Sequence, residues 1–485
     1  MDWQKLRALG PSGPGFPRAL WSRQPKDVST TAWIDGVRGL AALIVAVDHL
    51  FWHVIGPLFQ GYKSFPPEAH SSILQLPGPS IIFSAFAMVP LFFVISGYCI
   101  SLSSIRARAA VAADPSALLT TLSAAVFRRG LRLALPVVAI ALLSQLVYAL
   151  GGYSAWPWHE DRAALPPPGD SSLRAHAGYL LSYFGALFDQ VLTGAHCGGA
   201  GTQDCPVGLN GQMWTIPLEL RGSLLVYLCV LGTARVRPAP RKCLLGLLAA
   251  AMLWRAWWEG ATFVGGLLIA EATRGGGDGD DDDDDDDDDD EAHGGDLLLL
   301  SPGGPEPCWL PRWHRRRRDT RLRNAGAAAL AAVGVWLLCV PNAQDVFGGY
   351  GPCYNFLFAR FTPARWFVGE ARPRADFCWR AVGGMAVVAA LADGGSLSAV
   401  LRRPFFSAAA QYFGRISFML YLVHIMVFEC LLLRLQIPLI GVLGMDRINL
   451  AGNVARVLLL PLAFWVSEAL VEVLDKSDVG DQLVE

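Results

Sequence analysis

Charge is what this sequence has least of. Asp, Glu, Lys and Arg make up 17% of its 485 residues, against about 25% in soluble domains. Hydrophobic residues make up 53% and mean hydropathy is +0.36, values that exclude an ordinary soluble enzyme. The net charge of −2 carries little meaning because one acidic tract dominates it. The ten cysteines include no CxxC pair and no Cys/His zinc spacing, so no metal is expected. Cys99, Cys229, Cys339 and Cys430 lie in apolar runs, where a thiol packs as a small hydrophobe. No N-x-S/T sequon and no internal repeat are present. The first residues lack the apolar core of a cleavable signal, so the first spanning helix is expected to direct targeting. No nucleic-acid partner is expected.

Long apolar runs are what the chain does have. Ten segments read as spanning helices: 31–54, 80–102, 131–150, 213–231, 243–258, 261–272, 325–340, 378–391, 408–433 and 450–470. The fifth and sixth are short and split by Glu259–Gly260. The expected fold is all-α, a polytopic integral membrane helical bundle of about ten transmembrane helices in a lipid bilayer.

Basic residues in short loops orient such a bundle. Arg106, Arg108, Arg128, Arg129 and Arg132 follow the second segment. Arg235, Arg237, Arg241 and Lys242 follow the fourth, and Arg402 and Arg403 the eighth. With ten spans these loops share one side, the cytosol, with both termini. The chain then divides into a cytosolic tail (1–30), a first membrane part (31–272) with a luminal loop (151–212), a disordered cytosolic loop (273–324), a second membrane part (325–473) and a cytosolic tail (474–485). An endomembrane or plasma-membrane location follows.

The luminal loop carries Cys197 and Cys205, a candidate disulfide in an oxidising compartment. Cys353 is a rival partner and free thiols are the alternative. The cytosolic loop runs through Asp280–Asp290 and Glu291 to Arg315–Arg318. Such like-charge blocks repel and stay solvated, and flexible carboxylates fix no metal geometry. The Arg cluster also suits contact with anionic lipids.

Arg38 and His49 lie in the first segment. Eleven helical steps return to within about 20° of the start, so both share one face about 16 Å apart along the axis. Polar side chains kept inside a membrane are costly and functional by default. His49 suits a general base, since imidazole titrates near neutrality; a satisfied interior histidine is the bland alternative. Asp48 lies about 100° around the helix and cannot orient that ring. His49 and His53 at i, i+4 could hold a metal, but no third ligand supports that. The planar fork of Arg38 suits phosphate, unless Asp35 at i−3 merely pairs with it.

Other polar residues interrupt later segments. Ser96-Gly97-Tyr98 breaks the second. Glu219 follows Trp214 in MWTIPLELRGS, with Arg221 as a possible ion partner. In ISFMLYLVHI, Ser417, Tyr421 and His424 share a face at i, i+4 and i+3 spacing.

In combination these residues resemble the membrane acyltransferase-3 family. The chain presents DGVRGLAALIVAVDH, similar to the family's R-x10-H, then FFVISGYCIS, similar to F-F-x-x-S-G. FRRGLRLALP follows, like R-R-x-x-R-x-x-P with the proline one residue later. MWTIPLE is similar to W-x-x-x-x-E, and GRISFMLYLVH to G-x-x-S-Y-x-x-Y-L-x-H, with Phe418 replacing the aromatic hydroxyl. The resemblance spans Thr31 to the last helix. The Asp-rich loop stands outside it, as an insertion.

The resemblance implies transfer of an acyl group, often acetyl, from acyl-CoA to a hydroxyl of a carbohydrate, glycolipid or secondary metabolite. Arg38 and His49 would be the essential pair, with Glu219 and His424 as further catalytic residues. Arg38, Arg128, Arg129 and Arg132 would meet the donor's phosphates at the cytosolic face. His49 would deprotonate the acceptor hydroxyl, with an acyl-His intermediate as the variant for a luminal acceptor. The alternatives are a transporter using the intramembrane Arg, His and Glu as a substrate or proton path, and a family member acting as receptor or scaffold.

Overall fold

The computed structural model describes residues 31–109, 115–153, 172–193, 209–274, 312–341, 350–367 and 375–476. The Asp tract, Cys197 and Cys205 lie outside the described residues, as does the side chain of His53. Apolar sequence withdrawn from water must satisfy its backbone hydrogen bonds internally, which favours helices. Among the described residues there is no strand.

The helices are α1 (Ala32–Ile55), α2 (Ala85–Ala109), α3 (Pro115–Ala149), α4 (Leu173–Thr193), α5 (Thr215–Gly232), α6 (Pro238–Trp254), α7 (Trp258–Arg274), α8 (Arg312–Leu338), α9 (Asn355–Arg360), α10 (Ala375–Ala392), α11 (Ser396–Arg402), α12 (Ala408–Leu443) and α13 (Ile448–Lys476). Every one of the ten apolar segments forms a helix. Among the described residues, six are long and apolar enough to cross a membrane: α2, α3, α5, α10, α12 and α13. That is fewer than the ten spans expected. α1 carries Asp35, Arg38 and Asp48, and α8 opens on RWHRRRR. α6 and α7 have 17 residues each, about 26 Å against a hydrocarbon core of about 30 Å.

Two boundaries differ from the sequence reading. The segment read as a luminal loop contains α4, a 21-residue helix. Arg174, His176, Asp189 and Gln190 dilute its hydropathy, and it is stabilised by packing Tyr183, Leu180 and Leu187 against α3 and α5. The break between α6 and α7 falls at Ala256, whose φ is +58°, rather than at Glu259–Gly260.

Burial sorts the helices into interior and lipid-facing sets. On α7, Ala261, Phe263, Val264, Leu267 and Ala270 are wholly buried, the pattern of a helix enclosed on all sides. The apolar windows of α2 and α12 are 67% and 72% buried, but those of α3 and α13 only 33%. Leu135, Leu142 and Leu146 are exposed on α3, a surface that lipid would cover.

The helices α1 and α12 approach closely. Gly39 and Gly414 line the crossing, where a Cβ on either would collide with backbone of the facing helix, and a Cβ on Gly36 would collide with the backbone of Phe405 just before α12. Small residues let helix backbones touch where no hydrophobic effect drives association. Basic groups gather at one end. Arg108 at the end of α2 and Arg241 at the start of α6 bracket Glu271 of α7 at 2.5 and 2.9 Å. Arg402 lies 5.3 Å over the ring of Trp33, itself 6.1 Å from Tyr98 of α2.

Candidate active site

The α1–α12 crossing brings two histidines together that are 375 residues apart. His424 is fully buried. Its Nδ1 lies 2.9 Å from the Leu420 carbonyl, and His49 Nδ1 lies 2.9 Å from the Val45 carbonyl. A ring nitrogen facing a carbonyl carries the proton, so both neutral rings are assigned as Nδ1–H tautomers. His424 Nε2 then accepts from His49 Nδ1–H across 3.3 Å. The basic lone pair of His49 is left on Nε2. The ring centroids are 5.1 Å apart.

Beside this pair lies a cavity of about 560 Å³ between α1, α2, α5 and α12. Arg38, Val45, Ser96, Glu219, Ser417 and Tyr421 contribute to its wall. Val45 is also the carbonyl partner of His49, and the Tyr421 ring is 6.2 Å from that of His424. Val45 and Tyr421 thus link the cavity wall to the histidines, which do not themselves line it, with Arg38 about 16 Å up the same helix.

Glu219 is anchored by a partner from a different helix than the sequence suggested. Arg129 Nη2 of α3 donates to it at 2.6 Å and Ser96 Oγ of α2 at 3.0 Å. Arg129 Nε also donates to Ser223 Oγ at 3.2 Å. Arg221 does not pair with Glu219; its guanidinium lies 5.0 Å over the Trp257 ring. Arg38 makes a 3.7 Å pair with Asp35, both side chains being partly exposed. Such a pair is worth about 0–1 kcal/mol.

Of the four arginines expected at the donor, Arg38 lines the cavity and Arg129 is bound to Glu219. Arg128 and Arg132 are exposed and do not line it. Helical geometry explains the split: on α3, Arg128 and Arg132 at i, i+4 share one exposed face, while Arg129, about 100° around from Arg128, faces α5.

Ser417 donates to its own helix at Gly414, while Tyr421 reaches across to Thr215 Oγ1 at 2.6 Å and to the Gln212 carbonyl. Gln212 Nε2 in turn donates to the Leu422 carbonyl at 2.7 Å. Gln212 and Thr215 escaped the sequence reading; their only signal was their place in GQMWTIPLE. Among the described residues no group of three or more His, Cys, Asp or Glu side chains gathers as a metal site. Cys353 is a free thiol.

The geometry can be set against known proteins. Residues 31–471 match the profile of the acyltransferase-3 family, described as an acyltransferase domain. The chain is similar to O-acetyltransferase PaAT-1 of Phomopsis amygdali, 28% identical over 54% of this chain and 52% of that one. It spans about half the length of that relative. Acyltransferase R4 of Phoma sp. and acyltransferase clz18 of Cochliobolus lunatus are each 24% identical over 82% of this chain and 83% of theirs. No solved structure matches. The class defined is that of membrane-embedded helical acyltransferases. This chain belongs to the acyltransferase-3 family.

Proposed function

We propose that the protein is a membrane O-acyltransferase that moves an acyl group, acetyl above all, from acyl-CoA to a hydroxyl of a carbohydrate, glycolipid or secondary metabolite. The observation that carries this reading is the His49–His424 pair against a cavity whose polar wall holds Arg38 and Glu219. The family match favours acyl transfer over the transporter reading.

Arg38 meets the donor's phosphates, exchanging its weak pair with Asp35 for a stronger bidentate contact. The span of about 16 Å from Arg38 to His49 suits the thin pantetheine arm. His49 Nε2 takes the proton of the acceptor hydroxyl as its oxygen attacks the thioester carbonyl. The C–S bond breaks, and the imidazolium returns the proton to the departing thiolate. His424 holds the ring of His49 and is a positioning residue. Glu219, neutralised by Arg129, shapes the wall and orients the donor arm or the acceptor. The basic end of the bundle faces the cytosol.

The test is mass spectrometry of metabolites, lipids and released glycans. Cells expressing the wild type are compared with cells expressing His49→Ala at equal membrane levels. Species carrying an extra acyl group with the wild type alone are expected. Identical acylation profiles overturn the reading.

A further inference from the structure

The cavity beside the histidines is graded along its depth. α1 and α12 run parallel at a fixed offset of 375 residues, which holds at Gly39 with Gly414 and again at His49 with His424. Phe418 therefore lies level with Leu43, and Tyr421 with Ala46. α2 runs the other way, with Tyr98 beside Trp33 and Ala85 beside Asp48. Val89, four residues past Ala85, then stands about four residues before Asp48, near the level of Phe418.

The outer end is polar. Arg38 lines it, and Ser96, two turns beyond Val89 on α2, donates to Glu219 at 3.0 Å. The inner end is apolar. Val45, Val89, Ile216 and Phe418 make its wall; Val45 and Ile216 are buried, Val89 and Phe418 half-buried. The hydroxyls there are committed within the protein. Tyr421 donates to the Gln212 carbonyl, Thr215 Oγ1 meets the Tyr421 hydroxyl at 2.6 Å, and Ser417 Oγ donates to the Gly414 carbonyl at 2.8 Å. With the one phenolic hydrogen given to Gln212, Thr215 is the donor of that pair. Arg38, in its weak pair with Asp35, is the lining residue with donors to spare.

The inner end also stops short. Val45 is 3% exposed and one turn before His49, about 6 Å along the axis. The two contacting histidines stand beyond it. A donor with its phosphates at Arg38 and its thioester carbonyl toward His49 brings its acyl group to this level. The chain has no straight path onward and turns aside, against Val89 of α2 or Phe418 of α12.

We propose that this inner end is the acyl subsite, and that Val89 and Phe418 restrict it to a short, uncharged hydrocarbon acyl group. The proposal rests on the acyltransferase reading and deepens it, from the reaction to the choice of donor. Aliphatic and aromatic walls favour the CH₂ groups they cover, and they penalise a longer chain for which there is no room. A dicarboxylic acyl group such as malonyl would bring a carboxylate to a wall whose hydroxyl hydrogens are already engaged. A buried charge left unpaired is costly, so such a donor is rejected by chemistry as well as by size.

The test uses the full chain in its expressing membranes. Radiolabelled acetyl-, butyryl- and malonyl-CoA are offered separately, and transfer to endogenous acceptors is counted above a His49→Ala background. The parent is expected to transfer acetyl about tenfold or more faster than malonyl. Val89→Ala and Phe418→Leu each open the wall, and each is expected to raise the ratio of butyryl to acetyl transfer about tenfold. That ratio, unlike total activity, does not move with the amount of folded protein. An unchanged ratio in both variants, or loss of transfer from both donors in both, overturns the subsite and leaves the acyltransferase reading standing. Malonyl transferred as fast as acetyl overturns the restriction to uncharged groups. No transfer above background by the parent from any donor sinks the acyltransferase reading, and the proposal with it.

Discussion

At the scale of single residues, the site depends on which nitrogen of His49 is basic. His424 and the Val45 carbonyl share its Nδ1–H, so proton transfer belongs to Nε2. His49→Ala is expected to lower kcat by about 10²–10⁴-fold with coenzyme A affinity unchanged, as read by steady-state kinetics and calorimetry. His424→Leu removes the acceptor but no reacting atom. A loss of about 10- to 10²-fold is expected, with His424→Gln recovering part of it because an amide oxygen can still accept. An equal loss in both variants would argue against positioning. Arg38→Lys keeps the charge but loses the fork; a raised KM for the donor at nearly constant kcat is the expected result.

Among helices, the site is assembled by close approach. Gly39→Ala puts a Cβ into the backbone of α12 at Gly414. Helices forced apart there separate His49 from His424 without touching either. Overpacking of this kind costs about 1–3 kcal/mol, so a lower unfolding temperature together with lost transfer is expected. A variant that is destabilised but fully active would show that the histidine contact is dispensable. The sequence showed the spacing within each helix, because R-x10-H and S-x3-Y-x2-H are periodic patterns along one chain segment. It did not show that Arg129, rather than Arg221, pairs with Glu219. That pairing joins residues 90 positions apart, and proximity in sequence favoured the wrong arginine. α4 escaped for a related reason: its polar residues mask an apolar stripe that only its neighbours reveal.

Over the molecule as a whole, the basic groups that follow separate helices converge on one end, through Arg108, Arg241 and Glu271 and through Arg402 on Trp33. Buried Glu271 bridges two arginines, and Glu271→Gln is expected to destabilise the bundle by about 3–5 kcal/mol, measured as a loss of thermal stability in detergent. Single-cysteine labelling beside positions 106, 235 and 403 is expected to report one common side of the membrane. Labelling on opposite sides would refute the proposed cytosolic orientation.

By itself the sequence determined the all-helical membrane character, the family and the residues worth testing, because hydropathy and helical periodicity are local and additive along the chain. Tertiary structure alone decided which helices touch, which arginine meets Glu219, that His424 rather than Asp48 contacts His49, and that Arg38 and Glu219 share the wall of one cavity. Those are properties of space left between side chains from distant segments, and packing sets them only once the whole bundle has closed.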